Sequence, residues 1–171
     1  MIKLSVLATA AALLAVPALA ASGTATMTDL SGNTLGTVQL TEMNGGVHIT
    51  GDLTGVPNGE HGFHIHETGT CDPATEFESA GAHFEPGGHE HGTENPEGPH
   101  AGDLPNISAD DDGAAALDLH NTTVTLSEGE ASLADADGSA LVLHASADDY
   151  KTDPSGNSGD RIACGVIEIT P

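Results

Sequence analysis

Between residues 24 and 53 apolar and polar side chains alternate at a period of two. Ala25 and Met27 stand between Thr24, Thr26 and Thr28; Val38 and Leu40 stand between Thr37, Gln39 and Thr41; Val47, Ile49 and Leu53 recur in a third run. Ser31-Gly32-Asn33 and Asn44-Gly45-Gly46 separate these runs with turn residues. Side chains of a strand point alternately to its two faces, so the pattern predicts a β-meander over residues 21–56. Short apolar-rich segments follow at 62–66, 114–120, 124–126, 140–144 and 162–169, again between Gly, Asn and Asp. About eight short strands, with no sustained helical period after the first twenty residues, point to an antiparallel sandwich or barrel. Residues 67–112 and 145–161 break the rhythm as two long polar loops. Loops of that length within a compact domain are functional or disordered.

Residues 1–20 follow a different rule. Lys3 precedes an apolar run, Pro17 interrupts it, and Ala18-Leu19-Ala20 ends it in a small-x-small pattern. That is the form of a secretory signal peptide, so residues 21–171 are expected as one exported domain, periplasmic or extracellular. The run is short for a membrane span, and no other apolar stretch approaches that length. An oxidising compartment favours pairing of Cys71 with Cys164, the only two cysteines; two separate buried thiols are the alternative.

Charge narrows the range of partners. The chain carries 26 Asp and Glu against Lys3, Lys151 and Arg161, a formal net charge of −23. Nucleic acid and anionic membrane surfaces call for clustered cations, so both are excluded as partners. Aromatic residues make up 2% of the chain, and the core must be assembled from Val, Ile, Leu and Ala.

Against so few bases, ten histidines stand out. In Phe63-His64-Ile65-His66 the two imidazoles share one strand face and the apolar pair the other. Two such rings are half of a copper or zinc site, or two polar residues on the outside of a strand. In the first long loop, His83, His91, His100 and Asp103 make a complete donor set for tetrahedral zinc; a solvated, loosely binding loop is the alternative. His144 ends the run Ala140-Leu141-Val142-Leu143, just before the second loop.

These residues carry a resemblance. Gly62-Phe63-His64-Ile65-His66-Glu67, Gly81-Ala82-His83-Phe84-Glu85-Pro86, His91, His100-Ala101-Gly102-Asp103-Leu104 and Arg161-Ile162-Ala163-Cys164-Gly165-Val166-Ile167 occur in the order found in copper–zinc superoxide dismutases of the exported bacterial kind. The chain resembles that family over nearly all of residues 21–171. The resemblance implies an all-β fold, an eight-stranded antiparallel Greek-key barrel with two long functional loops. It implies copper held by His64, His66, His83 and His144, zinc held by His83, His91, His100 and Asp103, one of each per subunit, and a bridging role for His83. It further implies that Asp148 hydrogen-bonds a ligand of each metal, that Cys71 and Cys164 form an intrachain disulfide, and that Arg161 holds the incoming anion beside copper. His61 corresponds to a structural histidine bonded to backbone. His89 competes with His91 for the ligand role, and the family register favours His91.

The activity implied is dismutation of superoxide to oxygen and hydrogen peroxide, with Arg161 and His83 as catalytic residues. The alternative is an exported copper and zinc buffer without turnover, which would have no need of Arg161. Relatives of this kind differ in whether they pair, so the sequence leaves a homodimer open. Superoxide is an anion and the chain is strongly acidic, so local attraction is expected from Arg161, with Lys151 either adding a smaller long-range part or standing as a solvated loop lysine.

Overall fold

A computed structural model describes residues 20–170; apart from Ala20, the leader read at residues 1–20 lies outside the described residues. Nine strands follow one another: β1 (Ser22–Asp29), β2 (Thr34–Met43), β3 (Gly46–Leu53), β4 (Gly59–His61), β5 (Phe63–His66), β6 (Ile107–Ala109), β7 (Ala115–Asn121), β8 (Ala140–His144) and β9 (Arg161–Thr170). Seven form one antiparallel sheet in the order β5-β8-β9-β1-β2-β3-β7, and β4 pairs separately with β6. β6 packs beside β7, and β4 runs into β5 across Gly62, so the small pair stands between the edges of a sheet curled into a half-barrel. The joins of β3 to β7 and of β9 back to β1 link strands distant in sequence, as Greek keys do. Among the described residues no helix is long and apolar enough to cross a membrane.

The alternation read from residues 24–53 is the inward pattern of β1–β3. Ala25, Met27, Val38, Leu40, Val47, Ile49 and Leu53 are all fully buried in the main core. One irregularity shifts the register: Met27 pairs with Gly36 but Thr28 pairs with Thr34, leaving Leu35 as the extra residue. The bulge lets Leu35 and Val38, three positions apart, both face inward.

Two expectations differ from the structure. The strand read at Val124–Leu126 is a loop, with a single isolated bridge between Thr125 and Ser132. Val124 and Leu126 are nonetheless buried, and side chains satisfy their backbone: Val124 N–H donates to Asn121 Oδ1 (3.1 Å) and Leu126 N–H to Glu42 Oε2 (3.1 Å). A short apolar run marks burial, not conformation. The strands of the described residues number nine rather than about eight because the segment at 124–126 drops out and two are added, β4 and β6, whose three residues each are too short to show a period.

β8 is buried on both faces. Leu141 and Leu143 enter the main core, while Ala140 and Val142 face outward onto a second cluster with Phe77, Ala80 and Cys164. That cluster lies beneath the turn at residues 73–80, which the Cys71–Cys164 disulfide ties to β9 (Cα–Cα 5.7 Å). An apolar run without alternation is what two-sided burial requires.

Candidate metal centre

β5 places the first two imidazoles. Phe63 and Ile65 are fully buried in the core, which turns His64 and His66 to the outer face of the sheet. They do not meet solvent there: they are 0% and 1% exposed, because the long loops close over them. The first loop runs back along β5, with bridges of His66 to His83 and of His64 to Asp103. β8 lies on the strand's other side, and a register shift after Leu143 pairs His144 with Arg161. Two sequence-distant residues thereby reach the same patch of sheet.

His64, His66, His83 and His144 each bring one donor atom within 4.8 Å of the other three. In every ring one nitrogen is anchored. His64 Nε2 bonds Asp148 Oδ2 (2.8 Å), His66 Nδ1 bonds the Gly81 carbonyl (3.0 Å), His83 Nδ1 bonds Asp103 Oδ1 (2.9 Å), and His144 Nδ1 bonds the Gly159 carbonyl (3.1 Å). The opposite nitrogens, His64 Nδ1, His66 Nε2, His83 Nε2 and His144 Nε2, are buried without a hydrogen-bond partner. An orphaned buried polar atom costs about 1–3 kcal/mol. Four of them converging are explained by a cation that accepts their lone pairs, and an imidazole-rich set suits copper.

His83, His91, His100 and Asp103 form a second group, likewise within 4.8 Å. Asp103 Oδ1 lies 2.9 Å from His83 Nδ1, 3.0 Å from His91 Nδ1 and 3.3 Å from His100 Nδ1, and the His83 and His100 Nδ1 atoms are 3.4 Å apart. Ligands about 2.0 Å from a tetrahedral zinc stand about 3.3 Å from one another. These donors have that spacing. His83 belongs to both groups, Nε2 facing one and Nδ1 the other. His89, by contrast, has a side chain 58% exposed and bonded to Glu85, while that of His91 is fully buried.

The two groups differ electrically. Burial, reinforced by neighbouring imidazoles, lowers the pKa of His83 to about 4 and of His144 to about 3, and holds His66 well below the ordinary 6.5. Those rings are neutral at neutral pH. At His91 burial also opposes charge, but hydrogen bonds to Asp103 and Asp148 outweigh it and raise the pKa to about 9. Burial works against both carboxylates, yet imidazole hydrogen bonds hold Asp103 and Asp148 well below the usual carboxylate range.

Asp148 joins the groups, accepting from His64 Nε2 through Oδ2 and from His91 Nε2 through Oδ1 (3.0 Å). Its own backbone is clamped by Asn106: the Asp148 N–H donates to Asn106 Oδ1 (2.8 Å), and Asn106 Nδ2 donates to the Asp148 carbonyl (2.9 Å). Gly156 (φ +63°) packs its backbone against Asp148 and His91 so closely that a Cβ would collide with Asp148 Oδ1. Asn106 and Gly156 went unnoticed in the sequence, where each reads as an ordinary loop residue. The Gly81 and Gly159 carbonyls leave no side-chain signature at all. The remaining histidines stand apart from the site's open face. His61 lies 2.8 Å from both the His144 and Pro57 carbonyls, His48 pairs with Asp118 (2.7 Å), and His120 is exposed.

A cavity of about 270 Å³ opens onto this centre, lined by His66, His83, His144, Arg161, Glu78 and Asp160 among others. Arg161, one of the lining residues, donates from Nη1 to the Phe77 carbonyl (2.8 Å). Lys151 is exposed at the surface and lies 3.7 Å from Glu94.

Comparison with known proteins agrees with this chemistry. The family model described as copper/zinc superoxide dismutase (SODC) matches residues 34–167. The chain is 52% identical over 145 residues to superoxide dismutase [Cu-Zn] 2 of Aquifex aeolicus, covering 84% of each chain. It is 45% identical over 150 residues to superoxide dismutase [Cu-Zn] of Caulobacter vibrioides, covering 86% of each. A solved structure, the SOD-like protein from Bacillus subtilis, superposes with a TM-score of 0.80 at 39% identity, over 84% of this chain and 96% of that one. The orphaned imidazoles and the sequence relationships lead to one conclusion: this chain belongs to the copper/zinc superoxide dismutase family.

Proposed function

We propose that His64, His66, His83 and His144 hold the copper of this superoxide dismutase, that His83, His91, His100 and Asp103 hold its zinc, and that His83 is common to both. The convergence of four unpartnered, buried imidazole nitrogens carries the assignment. Copper supplies the redox change, by which one superoxide becomes oxygen and the next, with two protons, becomes hydrogen peroxide, whereas zinc stays divalent.

The chain's own residues supply geometry and protons. His83 Nδ1 is fixed toward Asp103, so the ring would keep its place whatever happens at Nε2; Nε2 would then be the atom at which a proton is held for delivery. Asp148 fixes the orientation of His64 and His91 together, since each of its oxygens takes one ring N–H. The Arg161 guanidinium, half-buried beside the same cavity, draws the small anion to that end of it. A metal buffer without turnover has no use for a buried cation there.

The test is reconstitution. Apoprotein loaded with copper and zinc should consume superoxide catalytically, and His144→Ala should bind zinc normally but lose copper and turnover. Binding of both metals without turnover in the parent would return the buffer reading.

We also infer that residues 1–20 are removed on export, leaving the domain 21–171 in an oxidising compartment. The bonded Cys71 and Cys164 support this, since disulfides persist in such compartments. The mass of the protein recovered from its host should correspond to a chain beginning at Ala21; a retained leader would overturn it.

A further inference from the structure

The cations expected to draw the substrate in are not free. Among the described residues the two fixed positive charges each face a glutamate: Lys151 lies 3.7 Å from Glu94 at the surface, and Arg161 Nη2 lies 3.3 Å from Glu78 Oε2 inside the cavity rim. The second pair is asymmetric. The Arg161 side chain is 14% exposed and held from behind by the Phe77 carbonyl, whereas the Glu78 side chain is 71% exposed. Glu78 opens the short turn at residues 78–80, and the disulfide ties this segment to β9, so its backbone stays beside Arg161 while its carboxylate faces solvent. Asp160 lines the same cavity, so Arg161 is its single fixed cation against two carboxylates.

We propose that Glu78 tunes anion capture at the cavity mouth, as an internal competitor that occupies the outer edge of the Arg161 guanidinium and must be displaced by an incoming monoanion. Because the Glu78 end of the pair faces solvent, water screens and competes for its carboxylate, which leaves the pair weak enough for a small anion to replace it. The carboxylate then sets a threshold on how readily anions are captured, weakening the capture of every monoanion by the same factor. This inference rests on the reading that Arg161 receives the substrate.

The experiment compares copper- and zinc-loaded parent, Glu78→Gln, Glu76→Gln and Arg161→Ala. Glu76 is exposed on the same segment and does not line the cavity, so Glu76→Gln changes net charge equally without touching the pair. Two readouts are taken against ionic strength: the dissociation constant for azide, from the copper absorption spectrum, and the second-order rate with superoxide. At low salt Glu78→Gln should bind azide about threefold more tightly and react about threefold faster, the effect of one unit charge about 6 Å away in water. The difference should vanish near 1 M salt, where the screening length is about 3 Å. Glu76→Gln should match the parent. An unchanged azide affinity in Glu78→Gln, or an equal gain in Glu76→Gln, would overturn the competitor role. A loss of affinity in Glu78→Gln would show that the carboxylate orients Arg161 instead, and would overturn it as well. If Arg161→Ala binds azide like the parent, the anion-receiving role of Arg161 fails, an outcome distinct from failure of Glu78 alone.

Discussion

Asp148 has the widest reach of any side chain in the centre, because its two oxygens serve rings of both donor groups. Asp148→Asn keeps the shape but puts an N–H donor where one imidazole N–H now donates, so one ring loses its orientation. The expected result is a loss of about 10–100-fold in affinity for the metal on that side, checked by chelator competition with each metal. His91 carries a second consequence. Its pKa near 9 means that the metal-free ring is protonated at pH 7, and a metal can bind only the deprotonated nitrogen. Zinc binding at pH 7 should therefore release about one proton from this ring, measured as the dependence of binding enthalpy on buffer ionisation. His64 and His66, and likewise His83, His91, His100 and Asp103, were legible as residue types at telling spacings, whereas the roles expected of His144 and Asp148 came from the family resemblance. Asn106 was not legible, because an amide that clamps another residue's backbone has no spacing of its own.

At the scale of elements, loops rather than strands separate a metal site from a polar sheet surface. β5 supplies only the facing of His64 and His66; their burial comes from residues 67–106 and 145–160 folding over them. The second loop holds its place partly through Gly156, whose positive φ and absent side chain admit the backbone beside Asp148. Gly156→Ala should cost about 1 kcal/mol from the left-handed backbone alone. The displaced Asp148 should add a loss of about 10–100-fold in metal affinity. Thermal denaturation with and without metal separates the two effects: the metal-free protein should be slightly weakened and the loaded protein much more so. The strands of the meander were readable because each has one buried face. The segment at Val124–Leu126 was misread because its inward side chains are presented by a loop whose backbone bonds to Glu42 and Asn121.

For the molecule as a whole, the disulfide closes a separation of 93 residues between the first loop and β9. Chain-entropy estimates for a loop that long give about 4–5 kcal/mol, so Cys71→Ser should lower the stability of the metal-free protein by about that amount in urea denaturation. The pH dependence of the metal-free protein has two limbs. His83 and His144, near 4 and 3 when folded against an ordinary 6.5, are protonated more readily in the unfolded chain. Their contribution is present above pH 6.5 and is lost as pH falls toward 4 and 3. His91, near 9, contributes fully below 6.5 and loses that contribution as pH rises through 9. Urea midpoints of the metal-free protein should fall on both sides, and zinc should abolish the alkaline limb because the bound ring no longer titrates.

Period-two alternation, turn residues and the order of the histidine-bearing segments were enough to mark an all-β chain and its strand-rich regions and to single out candidate donor residues, because those signals depend on residue type and local spacing. The pairing of strands distant in sequence was decided in three dimensions, and with it which nitrogen of each ring is anchored and which is left open. So was the placing of Glu78 against Arg161, 83 positions along the chain. Such contacts arise when a closed sheet and a cross-linked loop bring remote backbone together, and no local pattern encodes a meeting of that kind.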